Sequence, residues 1–178
     1  MHCAKRTTAM YKNIIKATLA LLFAIGSTGQ ALAAPNWAIN GSSCVPSGLT
    51  IQNDTFFVWG GRIAFNNPRT GTITMTCAVP VGVGSISSLR VLYRDSTGVT
   101  TSARLDAALR RIHKPSGAIS SVAGLEFNSD NVGTGSYTDQ RVFTNHTLDD
   151  DFYLYFVQMN MVRNDASQIV EFIGVELD

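Results

Sequence analysis

Asp149-Asp150-Asp151 is the densest run of charge in the C-terminal half of the chain. Three neighbouring carboxylates could contribute to a calcium site, which takes about six to eight oxygen ligands drawn from several segments. Adjacent residues of an extended chain point to opposite faces, so three consecutive aspartates converge on one ion only where the backbone bends. The spacing therefore favours a solvated loop leading into the Phe152 segment, with charges that also discourage edge-to-edge association. Asn128-x-Asp130-x-x-Gly133, with Asp139 at the twelfth position, echoes an EF-hand loop. Val132 occupies one of its ligand positions, and Asp139 is too short where a bidentate glutamate is required. No metal site and no cofactor are expected.

Nucleophilic catalysis would need a serine, a base and an acid in register. Serines are numerous, but there is no Gly-x-Ser-x-Gly elbow. His113 lies in the basic stretch Arg110-Arg111-Ile112-His113-Lys114 and His146 at a strand end, and neither has a local partner that would mark it as a base. Glu126, Asp130, Asp139 and the aspartate triplet could supply a pair of carboxylates for hydrolysis, yet spacing cannot place two of them at a working separation. No catalytic residue is assigned, and a hydrolase with acids drawn from separate loops is the alternative to a binding protein.

Aromatic rings offer a different chemistry: flat, amphipathic faces that stack on sugars or bury in a protein partner. Trp37, Trp59, Tyr93, Tyr137, Tyr153 and Tyr155 are the candidates, while Phe56 or Phe57, Phe127 and Phe156 are claimed by the core. Trp37 and Tyr137 lie in segments without strand periodicity and are the expected ligand-contact aromatics.

The elements that must position these residues follow an export signal. Lys12-Asn13-Ile14-Ile15-Lys16, the apolar run from Ala17 to Ile25 and then Ala31-Leu32-Ala33 have the charged, apolar and small-residue order of a secretory signal peptide. Cleavage is expected after Ala33, giving a signal at 1–33 and one domain at 34–178; either Met1 or Met10 could be the initiator. The apolar run falls short of the roughly 20 residues a membrane span requires. Cys3 is too early and Cys44 too late for a lipoprotein. Loss of Lys5, Arg6, Lys12 and Lys16 leaves ten basic against thirteen acidic residues, a net charge of −3 with no basic patch, which argues against nucleic acid as a partner. Secretion, to the periplasm or beyond the cell, makes a Cys44–Cys77 disulfide the simplest fate of the two remaining cysteines.

The remaining sequence is rich in Thr, Ser, Gly, Asn and Val, which favours strands joined by tight turns. Residues 34–48 read as an extended lead-in and Leu49 to Asn53 as a short strand. Gly60-Gly61 separates two apolar segments as a hairpin would. Ile73, Met75, Cys77 and Val79 alternate with Thr72, Thr74, Thr76 and Ala78, placing Cys77 on a core face. Leu89, Val91 and Tyr93, the turn Asp95-Ser96-Thr97-Gly98 and the alternation from Val99 to Leu109 predict a second hairpin, although Ala103 to Arg111 also suits a helix. Ile119, Ser121, Ala123, Leu125 and Phe127 predict one face of a further strand. Asn128 to Tyr137 reads as a loop, Gln140 to Asn145 and Phe152 to Val162 as strands, and Ile169 to Leu177 as the last. About eight or nine strands at this spacing predict an all-β fold, a single antiparallel β-sandwich of jelly-roll-like or Ig-like type. Asn40, Asn53 and Asn145 stand in glycosylation triplets, informative only in a host that uses them.

Cys44-Val45-Pro46, Cys77-Ala78-Val79-Pro80 and Tyr93-Arg94-Asp95-Ser96-Thr97-Gly98, with the Tyr153-Leu154-Tyr155 strand, resemble a pattern in small exported bacterial β-sandwich proteins of unknown function. The resemblance brings no activity and no site residues. The expected function is a non-enzymatic exported domain that binds glycan or an envelope or extracellular protein. A structural assembly protein with pairing edge strands is the third alternative.

Overall fold

The computed structural model describes residues 36–48, 55–132 and 135–178, with backbone alone over 135–140; the expected signal peptide and the expected Leu49–Asn53 strand lie outside the described residues. Eleven strands are present among the described residues: β1 (Trp37–Asn40), β2 (Val45–Pro46), β3 (Phe56–Trp59), β4 (Arg62–Phe65), β5 (Gly71–Ala78), β6 (Ser85–Asp95), β7 (Ala103–His113), β8 (Ile119–Asn128), β9 (Gly135–Thr147), β10 (Tyr153–Arg163) and β11 (Val170–Leu177). One sheet runs β3-β4-β11-β6-β9, with β1 also paired to β11; the other runs β2-β5-β10-β7-β8. All pairings are antiparallel. The fold is an all-β antiparallel sandwich, as the sequence predicts, and Ala103 to Arg111 is strand.

The core forms because both sheets turn one alternate set of apolar side chains inward. Leu89, Val91, Tyr93, Phe172, Val175 and Leu177 of the first sheet meet Ile73, Met75, Leu105, Leu109, Val157 and Met159 of the second, all essentially inaccessible. Tyr93 and Phe127 bridge the layers with ring centroids 5.2 Å apart. The Cys44–Cys77 disulfide lies in this interior and ties the chain around β2 to β5.

Four sequence expectations are corrected. β6 and β7 do not form a hairpin: β6 pairs with β9 and β11, β7 with β8 and β10, and Asp95 to Ser102 carries the chain from one sheet to the other. Alternation records which face is buried, and two strands facing each other across a core alternate as cleanly as two lying side by side. The lead-in 34–48 is not merely extended. It contains β1, the 3-10 turn Gly41–Ser43 capped by the Asn40 side chain, and β2. In β8 the expected face holds at Leu125 and Phe127 but not upstream, where Val122 is buried and Ile119 exposed. A register shift between Ala108 and Arg110 of β7, opposite Gly124 at φ +77°, inverts the phase. Finally, β9 begins at Gly135, so Tyr137 lies in a strand and not at a loop end.

Among the described residues, two hairpins lie within single sheets. Gly60 and Gly61, both at positive φ (56° and 83°), make the β3–β4 turn, the conformation for which two-residue hairpins recruit glycine. Lys114 to Ala118, containing Pro115 and Gly117, joins β7 to β8.

Candidate functional site

The second sheet presents an open outer face built by strict alternation. β10 buries Tyr155, Val157, Met159 and Met161 and turns Phe156, Gln158, Asn160 and Val162 outward; β7 buries Leu105 and Leu109 and turns out Asp106, Ala108 and Arg110. Register aligns Gln158, Ala108 and Glu126 in one row, Asn160, Asp106 and Asn128 in the next, and Phe156, Arg110 and Ser121 on the other side. The first two rows and Arg110 of the third line a cleft of about 390 Å³, with Ala108 between its walls. A cleft of this size with a few convergent polar groups is the usual form of a small-ligand site, roughly 300–1,000 Å³.

The hydrogen bonds at the walls fix what the cleft offers. Asn160 accepts from Thr74 Oγ1 at 3.0 Å, and Asn128 accepts from the Asp130 backbone N–H at 2.7 Å. Each of these oxygens keeps one lone pair, and each amide also has its NH2 group left to donate. Arg104 holds Asp106 at 3.0 Å and reaches Asp130 at 4.0 Å. Burial raises the pKa of both aspartates, with Arg104 opposing the shift. This carboxylate pair is thus tied into an ion cluster. Arg110 forms no ion pair among the described residues, and its Nε is buried without a hydrogen-bond partner. Glu126 stands exposed at the rim.

Two further hollows are less well furnished. One of about 300 Å³ lies between Asn36, Ser85, His146 and Asp178, and one of about 290 Å³ over Ile39, Leu92 and Gly174 has mainly apolar walls. His146 stacks edge-on against Tyr155 at 5.9 Å; burial and then the Arg111 charge lower its pKa. His113 bonds Ser116 Oγ through Nδ1 at 2.8 Å and packs against Tyr153, whose ring also lies 4.4 Å from the Arg111 guanidinium carbon.

The sequence candidates are dispersed. Trp37 is on β1 opposite Leu177, half-buried and packed against the core, because β1 completes the edge of β11. Tyr137 lies in β9, at the register shift between the Tyr93–Thr138 and Asp95–Gly135 pairs, and its side chain lies outside the described residues. Asp150 Oδ2 accepts from the Gly82 N–H and Asp149 Oδ1 from the Phe152 N–H, so one aspartate ties the loop to the β5–β6 connection and another organises its own turn. Among the described residues no cluster of three or more His, Cys, Asp or Glu is placed to hold a metal. Sequence reasoning missed Gln158, Asn160, Asp106, Ala108 and Arg110 as a group. It named Trp59 among the candidate aromatics but missed the run it forms with exposed Phe57 and Val58 on edge strand β3, where Arg62 lies 4.8 Å from the Trp59 ring centre.

An antiparallel β-sandwich with one polar, cleft-bearing sheet face is the class that fold and site define. No family model matches the chain, and no curated protein matches it. Among solved structures, it is similar to a low-affinity xylan-binding module, CBM86, from the gut symbiont Roseburia intestinalis. That match has 9% identity and a TM-score of 0.46, covering 80% of this chain and 93% of the module. It is also similar to a family two carbohydrate esterase from Cellvibrio japonicus, at 11% identity and a TM-score of 0.39, over 79% of this chain and 32% of the esterase. At these values the likenesses say nothing about what this chain binds. Among the described residues no helix is long and apolar enough to cross a membrane.

Proposed function

We propose that this chain is an exported, non-catalytic binding domain whose ligand is a glycan held on the open face of the second sheet. The observation that carries the reading is the cleft over Ala108, walled by Gln158, Asn160, Asn128, Arg110 and Glu126. Sugar hydroxyls both donate and accept hydrogen bonds, and planar amide, guanidinium and carboxylate groups meet adjacent hydroxyls in pairs. The single methyl group of Ala108 leaves room for the C–H face of a pyranose ring, with Phe156 half-buried beside Arg110. The signal-peptide pattern supports export, and the buried disulfide is consistent with an oxidising compartment. Titration of the purified 34–178 domain with neutral and acidic oligosaccharides, followed by amide NMR, tests it. Shifts centred on residues 106–110 and 156–160 are expected; saturation of any glycan elsewhere on the surface, or no binding at all, refutes the cleft as its site. Trp37→Ala and Tyr137→Ala in the same titration test the aromatic contacts expected from sequence.

A second reading has one observation behind it. β3 is an edge strand with Phe57, Val58 and Trp59 exposed, which suits pairing with another protein's strand. Trp59→Lys would abolish such an association and leave glycan titrations unchanged.

A further inference from the structure

One group in the cleft lacks a counterpart, and it specifies the ligand. Gln158 and Asn131 offer both donors and acceptors, whereas Arg110 is the cleft's charged donor. Asn160 and Asn128 have their oxygens engaged by Thr74 and by the Asp130 backbone, and Arg110 brings only donors. Of its two carboxylates, Asp106 is held by Arg104 at 3.0 Å, and Glu126 sits at the exposed rim, where water solvates it.

Arg110 is the exception among the described arginines that are at least half-buried. Arg62 pairs with Glu171, Arg90 with Glu176, Arg94 with Glu171, and Arg104 with Asp106. Arg111 has Ser120 and the Tyr153 ring, and Arg163 has the carbonyls of Asn66 and Arg69. Arg110 has no such partner, although its Nε is buried. A half-buried guanidinium without an ion pair carries a desolvation cost that an acceptor entering the cleft offsets through the N–H groups other than Nε. The strongest acceptor for the guanidinium fork is a carboxylate, met through two parallel N–H donors.

We propose that the ligand is an acidic glycan, and that Arg110 selects it by pairing with the carboxylate of a uronic acid residue while Asn128 and Asn160 hold neighbouring oxygens. The inference rests on the glycan reading of the cleft and narrows it to one sugar class. Glu126 opposes the selection from the rim, so its removal strengthens it.

Matched probes test this by calorimetry at low salt: hexameric galacturonate against its methyl ester, hexameric cellouronate against cellohexaose, and glucuronate-bearing against plain xylo-oligosaccharides. At least one acidic probe is expected to bind roughly tenfold or more tighter than its neutral partner, the scale of one charge-assisted hydrogen bond. Arg110→Gln should erase that difference, so that acidic and neutral partners bind alike whatever affinity the remaining amide contacts give them. Arg110→Lys should restore only part of it, because a point charge lacks the fork. Glu126→Gln should widen the difference. Equal binding of acidic and neutral partners at the cleft would overturn the acidic selectivity and leave the glycan reading standing. Acidic preference unaffected by Arg110→Gln would overturn the role of Arg110. Failure of every probe to bind would overturn both.

Discussion

Ser129 Oγ donates a 2.7 Å hydrogen bond to Oδ2 of Asp95, two side chains each 1% exposed and 34 positions apart in sequence. The same hydroxyl accepts from the Leu105 N–H at 2.9 Å, and Asp95 Oδ1 accepts from the N–H and the hydroxyl of Thr97. The crossing from β6 to β7 is therefore locked to the 3-10 turn Ser129–Asn131, which follows β8 and sets Asn128 and Asn131 at the cleft. A buried carboxylate is tolerable only when its lone pairs are engaged, and here three donors engage them.

Ser129→Ala would strip one donor from Asp95 and the acceptor from Leu105. A loss of about 2–3 kcal/mol is expected, in line with bonds to a charged group left unmade in the interior. Urea unfolding followed by tryptophan fluorescence measures it; an unchanged midpoint would contradict the role of this network.

The same crossing shows where sequence reading stops. Asp95, Thr97 and Gly98 announce a turn, and the alternation on either side announces strands; both are correct. What alternation does not encode is the lateral neighbour, so β6 and β7 read as a hairpin although they lie in opposite sheets. The β7–β8 hairpin carried a usable signal in Pro115 and Gly117, residues that pre-set turn geometry. The cleft had none. Asp106, Asn128, Gln158 and Asn160 are ordinary outward residues of three strands, and only strand register brings them together. Cys44 and Cys77, by contrast, were legible from compartment and face alone.

Removal of the disulfide by Cys77→Ser should cost about 3–4 kcal/mol, the scale for a cross-link closing a loop of this length. The check is chemical denaturation of oxidised wild type, reduced wild type and the variant. Coincident curves for reduced and oxidised wild type would show that the buried bridge adds no stability.

Gln158→Ala and Ala108→Leu separate ligand binding from folding. Both positions face outward and are half-exposed, so the thermal midpoint should move little. A leucine side chain between the walls would occupy the space a sugar ring needs, and ligand affinity should fall beyond detection. Loss of Gln158 should weaken binding by roughly tenfold, the value of one or two directed hydrogen bonds. Binding that survives Ala108→Leu would place the ligand elsewhere.

His146 should make the fold sensitive to mild acid. Burial, reinforced by the Arg111 charge, depresses its pKa below the ordinary 6.5, so the folded state disfavours the imidazolium form. A depressed basic group contributes stability that is present above about pH 6.5 and lost as the pH falls through the folded value. The wild-type melting temperature should therefore drop on acidification from about pH 7.5 to pH 5 by more than that of His146→Gln. Parallel pH profiles for the two proteins would exclude His146 as the group responsible.

Gly124 is the position at which β8 gives up its simple alternation, and a substitution there tests why. It lies at φ +77°, and a Cβ added to it would overlap Thr144 Oγ1 of β9, whose hydroxyl donates to the Gly124 carbonyl at 3.0 Å. Alanine meets two separate costs: the left-handed backbone, about 1–2 kcal/mol for an L-residue, and the steric overlap with Thr144. Gly124→Ala alone should lose at least about 2 kcal/mol of stability. The double variant Gly124→Ala, Thr144→Ala removes the overlap with Oγ1 and Cγ2 but keeps a tight 3.1 Å approach to the Cβ of residue 144 and the backbone strain, so it should recover part of the loss and never all of it. Because the glycine inverts the phase of β8 just before Glu126 and Asn128 enter the cleft, both variants should also weaken ligand binding. Full recovery of stability in the double variant would mean that the backbone at this bend is not strained. A single variant as stable as wild type would mean that β8 and β9 do not approach as closely as the hydrogen bond requires.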